Sequence, residues 1–388
     1  MWFFKTPEIV FGEDALSYLE QLEGRRAFVI TDSQVRRLGL VKPVEDRLRR
    51  AGFEVHVFDA VEPNPTIHLV RMGSDVIRAF NPDWIVAVGG GSVIDAAKAI
   101  WVLFERPDLD PLAISPMEPL GLRRRARLIA IPTTSGTGSE ATWAMVLTDP
   151  EARRKLGVGS RESMPDIAIV DPAMVMHMPP RLTADTGMDA LTHAVEGYVS
   201  TWRSPFSDAM CLHAARLIFT YLPRAYQKGA GDPEARAQMH LAATMAGIGI
   251  GNALVGLAHS LGHALGARFD IPHGRAVGLF LPYVVEFNAR IAADRYMDLL
   301  QAIGWPSPNG PEAAFQLSRA VLELLETLEQ PQTIAACGIP RDDFEADLPT
   351  LVEYALADPS TLTNPRSPTA EEIEHLMLYA YEGKMVDF

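Results

Sequence analysis

Asp189 and His193 stand four residues apart in the stretch DALTHAVEGY. On a helix that spacing puts both side chains on one face. Their neighbours Ala190, Leu191, Ala194 and Val195 are apolar, so the helix is expected to pack against protein. A carboxylate buried there is costly unless something positive meets it. The pair alone permits two readings: an Asp–His pair that neutralises itself in a core, or half of a metal site completed from elsewhere.

LAHSLGHALGARFDIPHG, residues 257–274, offers the other half. It carries His259, His263 and His273, the first two again at i and i+4. The remaining histidines, His56, His68, His177, His213, His240 and His375, lack such neighbours and read as ordinary surface or core residues. Three imidazoles and one carboxylate, with no thiolate, suit Fe(II) or Zn(II). Asp189, His193, His259, His263 and His273 make five candidate donors for a four-ligand set, which leaves one free for chemistry. Spacing does not say which.

A second group of residues has the composition of a phosphate cradle. VGGGSVID (88–95) joins an apolar run to a helical one through three glycines; glycines let backbone N–H groups approach a phosphate, and the helix start favours negative charge. Ser92 and Asp95 also have capping-box-like spacing. The turn is not G-x-G-x-x-G, so the usual dinucleotide fingerprint is absent. PTTSGTGSE (132–140) is a second loop of small hydroxyl residues and glycines, able to donate several hydrogen bonds to a phosphate or amide. Asp32 ends an apolar run and reads either as a turn or helix-cap aspartate or as the acid that binds a ribose 2′-OH, favouring NAD over NADP.

The elements that must position these residues fall into two kinds. Up to about residue 182, β-rich runs alternate with helical patterns. RAFVITD (26–32), EVHVFDAV (54–61), PDWIVAVGGGS (82–92), LIAIPTT (128–134) and DIAIVDP (166–172) read as strands. VKPVEDRLRRAGF (41–53), VRMGSDVIRAF (70–80) and IDAAKAIWVLF (94–104) read as helices. Alternation predicts a parallel sheet covered on both faces. Beyond it, long Ala/Leu/Met-rich stretches predict an all-helical domain. The expected division is 1–182 for an α/β dinucleotide-binding domain and 183–388 for a helical, metal-binding and substrate domain.

Composition narrows the partners. The 388 residues carry 35 basic and 49 acidic side chains, a net charge of −14, which argues against nucleic acid or an anionic membrane surface. The one dense basic run, RRRAR at 123–127, reads as a solvated approach to the following strand. Two cysteines, Cys211 and Cys337, are too few for a disulfide framework and fit a reducing cytoplasm. No uninterrupted apolar run approaches the ~20 residues of a membrane span. The N-terminal WFFKTPEIVFG could supply an edge strand for pairing between subunits.

The same stretches resemble the iron-containing (group III) alcohol dehydrogenases. VEPNPT (61–66), VGGGSVIDAAKA (88–99), IPTTSGTGSEAT (131–142), IVDP (169–172), TGMDALTHAVEGYVS (186–200), LAHSLGHALGARFDIPHG (257–274) and the late NPR (364–366) match its pattern in order along nearly the whole chain. The resemblance implies a Rossmann-like N-terminal domain and a C-terminal helical domain of the kind shared with dehydroquinate synthases. It implies a metal, iron before zinc, held by Asp189, His193, His259 and His273, with His263 beside it as a proton relay. It further implies NAD held by Gly91, Ser92, Asp95, Thr133, Thr134, Thr137 and Thr142, with Asn64 and Lys155 at cofactor-contacting positions. Ala144, Ile250, Val255 and Ser360 are expected to line a small, mostly apolar substrate pocket. Interconversion of an alcohol with its aldehyde or ketone by a homodimer or larger homo-oligomer follows. Two rivals share these features: a dehydroquinate synthase-like lyase, which would want basic residues for a phosphate-bearing substrate, and a non-catalytic NAD-binding protein with a structural metal.

Overall fold

A computed structural model of the chain describes residues 3–149 and 154–388. Lys5–His177 form one compact unit, and Met178–Phe388, joined by Phe3 and Phe4, form another.

The strands of the first unit are β1 (Glu8–Phe11), β2 (Arg26–Asp32), β3 (Glu54–Val61), β4 (Trp84–Gly89), β5 (Arg127–Pro132), β6 (Ala144–Asp149), β7 (Arg154–Gly159) and β8 (Ile167–Val170). Six make one parallel sheet in the order β1-β8-β5-β4-β2-β3. Its helices are α1 (Ser33–Arg37), α2 (Lys42–Arg50), α3 (Ile67–Phe80) and α4 (Gly91–Glu105). Alternate strand residues feed two cores. Phe28, Ile30, Ile85 and Ala87 pack with α3 and α4, whereas Val29, Val86 and Val88 pack with Val44 and Leu48 of α2. Burial on both faces is what near-continuous apolar strands require.

Strand order explains where a ligand can sit. The chain steps from β2 to β3 on one side, then crosses back to place β4 on the other side of β2. That reversal opens a crevice at the C-terminal ends of β2 and β4, the usual ligand position in an open α/β sheet. Asp32 ends β2, and the glycine turn follows β4. An acid that precedes the glycine loop in sequence thus becomes its neighbour across the switch point.

β6 and β7 form a separate antiparallel pair, from Ala144 opposite Gly159 to Asp149 opposite Arg154. Sequence reading missed this hairpin. Its period-two signal is short, with Met145 and Leu147 buried in the core and Val158 packed against it, and a hairpin interrupts the β–α alternation used to find the other strands.

The second unit carries α5 (Pro180–Val199), α6 (Pro205–Lys228), α7 (Pro233–Ala253), α8 (Leu257–Phe269), α9 (His273–Phe287), α10 (Ala289–Ile303), α11 (Glu312–Thr327), α12 (Arg341–Ala357) and α13 (Ala370–Glu382). No strand occurs among its described residues. One core gathers α5, α6, α7, α10 and α11, and a second gathers α8, α9, α12 and α13. From Gly187 to Val199 every residue of α5 is buried, so the polar side chains on it must find partners inside the protein. Among the described residues, no single helix is long and apolar enough to cross a membrane.

Candidate metal centre and nucleotide-binding loops

α5 brings Asp189 and His193 to one place, α8 adds His259 and the first turn of α9 adds His273. Gly274 permits the close approach: a Cβ there would stand 2.1 Å from the Asp185 carbonyl oxygen and 3.0 Å from Asp189 Cβ. Three Nε2 atoms converge on Asp189 Oδ1, from His273 at 3.3 Å, His193 at 3.6 Å and His259 at 3.8 Å. One donor atom from each of Asp189, His193 and His259 lies within 4.8 Å of the other two. A tetrahedral cation with ligand bonds of about 2.1 Å spaces its ligands by roughly 3.4 Å, so these separations suit one ion.

The donors fit a metal for a further reason. Asp189 is 2% exposed, yet its Oδ1 has no hydrogen-bond partner, and neither has His259 Nε2. An unsatisfied buried carboxylate oxygen is expensive, and a cation relieves it. Burial alone would raise the Asp189 carboxyl, but the facing imidazoles of His193, His273 and His259 hold it well below the usual carboxylate range. Burial pushes His193 down to about 4. Near neutral pH the group is therefore a carboxylate beside a neutral imidazole, the forms a divalent ion binds.

His263, the fifth donor, points elsewhere. Its Nδ1 lies 2.7 Å from Asp358 Oδ2, and its ring stacks on His273 with centroids 5.2 Å apart. Burial outweighs the facing carboxylate and holds its pKa below the ordinary imidazole value. Asp358 was missed by sequence reading, since nothing local links residues 95 positions apart. Glu196 was missed too, although its signal was present: Asp189, His193 and Glu196 fall at i, i+4 and i+7.

Of the expected pocket residues, Ile250, Val255 and Ser360 are partly buried in the helical unit, and Ala144 is exposed on β6 of the other unit. Thr363 ties Val255 to Ser360: its one hydroxyl proton goes to the Val255 carbonyl oxygen, and the Ser360 carbonyl oxygen lies 3.3 Å from the same Oγ1. The Ser360 N–H donates to Asp358 Oδ1 at 2.8 Å.

In the α/β unit the two loops meet. A Cβ on Gly91 would stand 2.7 Å from Thr137 Cγ2, and one on Gly90 3.3 Å from Thr134 Cγ2. α4 starts at Gly91 with Gly90 as N-cap and no side-chain cap, so its opening N–H groups suit a phosphate. The capping-box reading of Ser92 and Asp95 is overturned. Asp95 instead accepts from Ser139 Oγ at 2.5 Å and from the Val146 N–H at 3.0 Å, because β6 packs against α4 and claims the carboxylate.

Lys98, also missed, lies beneath this network. It is fully buried and donates to Ser139 Oγ at 2.9 Å, Thr142 Oγ1 at 3.2 Å and the Ala144 carbonyl at 2.8 Å. Its signal was a single charge within the apolar run AAKAIWVLF. Thr133 is buried, its N–H bonded to the Gly89 carbonyl at 3.0 Å, while Ser92, Thr134 and Thr137 are partly open. Asn64 is exposed at a left-handed φ of 57°. Lys155 pairs its backbone with Thr148 in the hairpin; its side chain lies outside the described residues.

Asp32 caps α1: its Oδ1 accepts from the Gln34 and Val35 N–H groups at 2.8 Å each. The cap and a ribose-binding role are compatible, since both bonds fall on one carboxylate oxygen. The RRRAR run is not merely solvated. Arg123 bonds Asp166 and the Glu162 and Met164 carbonyls at 2.7 Å each and lies over Trp101. Arg125 lies over Phe104. These side chains staple the entry to β5.

Residues 6–172 match the family model described as iron-containing alcohol dehydrogenase, and residues 183–381 match the C-terminal model of the Fe-containing alcohol dehydrogenase family. The chain is 39% identical to an NADPH-dependent butanol dehydrogenase of Clostridium saccharobutylicum, with 100% of each covered. It is also 39% identical to a 1-propanol dehydrogenase of Salmonella typhimurium, over 94% of this chain and 96% of that one. A solved 1,3-propanediol oxidoreductase superimposes with a TM-score of 0.92 at 35% identity, covering 98% of this chain and 100% of that one.

Proposed function

The chain belongs to the iron-containing alcohol dehydrogenase family and is an oxidoreductase acting on CH–OH groups, and from that premise we propose that it is an NAD-dependent, divalent-metal enzyme interconverting a short alcohol and its aldehyde. Asp189, His193, His259 and His273 hold the metal, iron by family and zinc by similar donor preference. The observation that carries this reading is the unsatisfied, buried Oδ1 of Asp189, ringed by three imidazole nitrogens.

When bound, the cation supplies Lewis acidity towards the substrate oxygen, and the nicotinamide supplies the hydride acceptor. The chain does the rest. Gly91 and Ser92 offer the opening N–H groups of α4 to the pyrophosphate, with Thr133, Thr134 and Thr137 on the facing loop. Thr142 and Asp95 act from beneath it, through the Lys98 network. Asp32 takes the ribose hydroxyl, which favours NAD even though the butanol dehydrogenase relative is named for NADPH. Asn64 and Lys155 complete the cofactor contacts. His263 donates its Nδ1–H to Asp358 and so keeps Nε2 free to take the hydroxyl proton. Ile250, Val255 and Ser360 of the helical unit and Ala144 of the α/β unit are the residues assigned to substrate contact by the family pattern, and short alcohols such as those named for the relatives are the substrates they are assigned. A reducing cytoplasm and a homo-oligomer remain part of the reading, on cysteine usage and on β1 as the edge strand of the sheet.

A lyase acting on a phosphate-bearing substrate is disfavoured. The cationic side chains on α5, α8 and α9 are Arg181, Arg268 and Arg275, and the last two are paired with Asp347 and Asp185. The test is absorbance of NADH and NADPH on mixing the metal-loaded protein with 1-propanol, 1-butanol, 1,3-propanediol and their aldehydes. Metal-dependent turnover with NAD preferred is expected; preference for NADPH removes the Asp32 role, and no turnover of any of these removes the substrate class.

A further inference from the structure

Glu196 is 2% exposed, and the reading above gives it no task. It lies on the face of α5 that carries Asp189 and His193, and its carboxylate is saturated from the start of α8. The Gly256 N–H donates to Oε2 at 2.8 Å and the Ala258 N–H to Oε1 at 2.6 Å. His259 Nδ1 stands 2.5 Å from Oε2.

α8 has no side-chain cap of its own, so a carboxylate from another helix takes that place at its positive end. The approach is tight. A Cβ on Gly256 would stand 3.0 Å from Glu196 Oε1. Two residues earlier, Leu254 is held at φ 65° and ψ 175°, a region almost confined to glycine, and such strain persists only where the surroundings enforce it.

The consequence lies at the other edge of the ring. A carboxylate is acceptor only, so it keeps the His259 proton on Nδ1 and leaves the lone pair on Nε2. Nε2 is the atom that faces Asp189 and has no partner. We propose that Glu196 is a positioning residue: it fixes the ligating tautomer of His259 and, by capping α8, the place of that ring, so that metal affinity depends on a side chain that never touches the metal. This rests on His259 being a ligand.

Chelator competition with Zn(II) and Co(II) on the purified apoprotein tests it. E196Q keeps the size of the side chain but removes the charge and can offer an amide N–H to Nδ1, which favours the wrong tautomer. Affinity is expected to fall 10–100-fold, with the helical circular dichroism of the apoprotein retained. Wild-type affinity in folded E196Q overturns the proposal. A measurement on the wild-type apoprotein needs no stable variant: histidine-selective nitrogen-15 correlation spectra, with His259 assigned from the peaks lost in His259→Gln. At a pH where the ring is neutral, a proton on Nδ1 is expected, and a neutral ring with its proton on Nε2 overturns the proposal even if E196Q does not fold. Full metal retention by His259→Ala would instead remove His259 from the ligand set, the premise on which the proposal rests.

Discussion

His263 Nδ1 and Asp358 Oδ2 lie 2.7 Å apart, although 95 residues of chain separate them. Asp358 also caps the turn at Ser360, so the carboxylate is fixed from both sides and orients the imidazole. A ring held this way presents Nε2 as a proton acceptor while His259 and His273 face Asp189. His263→Ala should therefore keep metal content near wild type while kcat falls by ~10²–10⁴-fold. Metal analysis paired with turnover decides it; loss of metal in His263→Ala together with retention in His259→Ala would exchange the two roles.

Metal binding should stabilise the fold measurably. A ligand at 100 times its Kd adds about 2.7 kcal/mol, enough to raise the melting temperature by several degrees. Adding Zn(II) to chelator-treated protein should give that rise, and His273→Ala should abolish most of it. An equal rise in the variant would remove His273 from the ligand set.

Asp32→Ser tests cofactor choice more cleanly than a glycine would, because serine can still cap α1. Two like charges ~4 Å apart repel by roughly 4 kcal/mol at an effective dielectric of 20, and solvent around a half-buried carboxylate reduces this to about 1–3 kcal/mol. The ratio of kcat/KM for NADP over NAD should rise about 5- to 150-fold. An unchanged ratio would leave Asp32 as a helix cap only.

Lys98 sets a pH dependence of stability. Burial lowers its pKa to about 8, with Asp95 and Glu140 opposing, from an ordinary value of 10.5. Between those values the unfolded chain holds a proton that the folded chain has released, so stability rises from pH 8 to 10.5 and is lost on the way down. At 1.36 kcal/mol per pKa unit the swing is about 3 kcal/mol. Urea midpoints across that window should rise with pH in the wild type and flatten in Lys98→Met. A parallel slope in both would assign the effect to other groups.

How much of this was legible in the chain depends on the range of the force involved. Helical periodicity alone put Asp189 and His193 on one face, with Glu196 on it too for a longer look, and apolar strands alternating with helices announced a doubly covered sheet. Those patterns are local: a side chain's direction follows from 3.6 or 2.0 residues per repeat before anything packs. Other facts waited for the tertiary structure. The pairing of His263 with Asp358, the saturation of Glu196 by the start of α8, and the capture of Asp95 by Ser139 and Val146 each join elements far apart in sequence. Spacing left five metal donors open. Packing of α8 and α9 onto α5, permitted at Gly274 by the absence of a Cβ, turned three imidazole nitrogens towards one carboxylate oxygen and gave the fourth ring to Asp358. Which donors meet depends on how helices close on one another, and that is set by the shape of whole faces rather than by the intervals between residues.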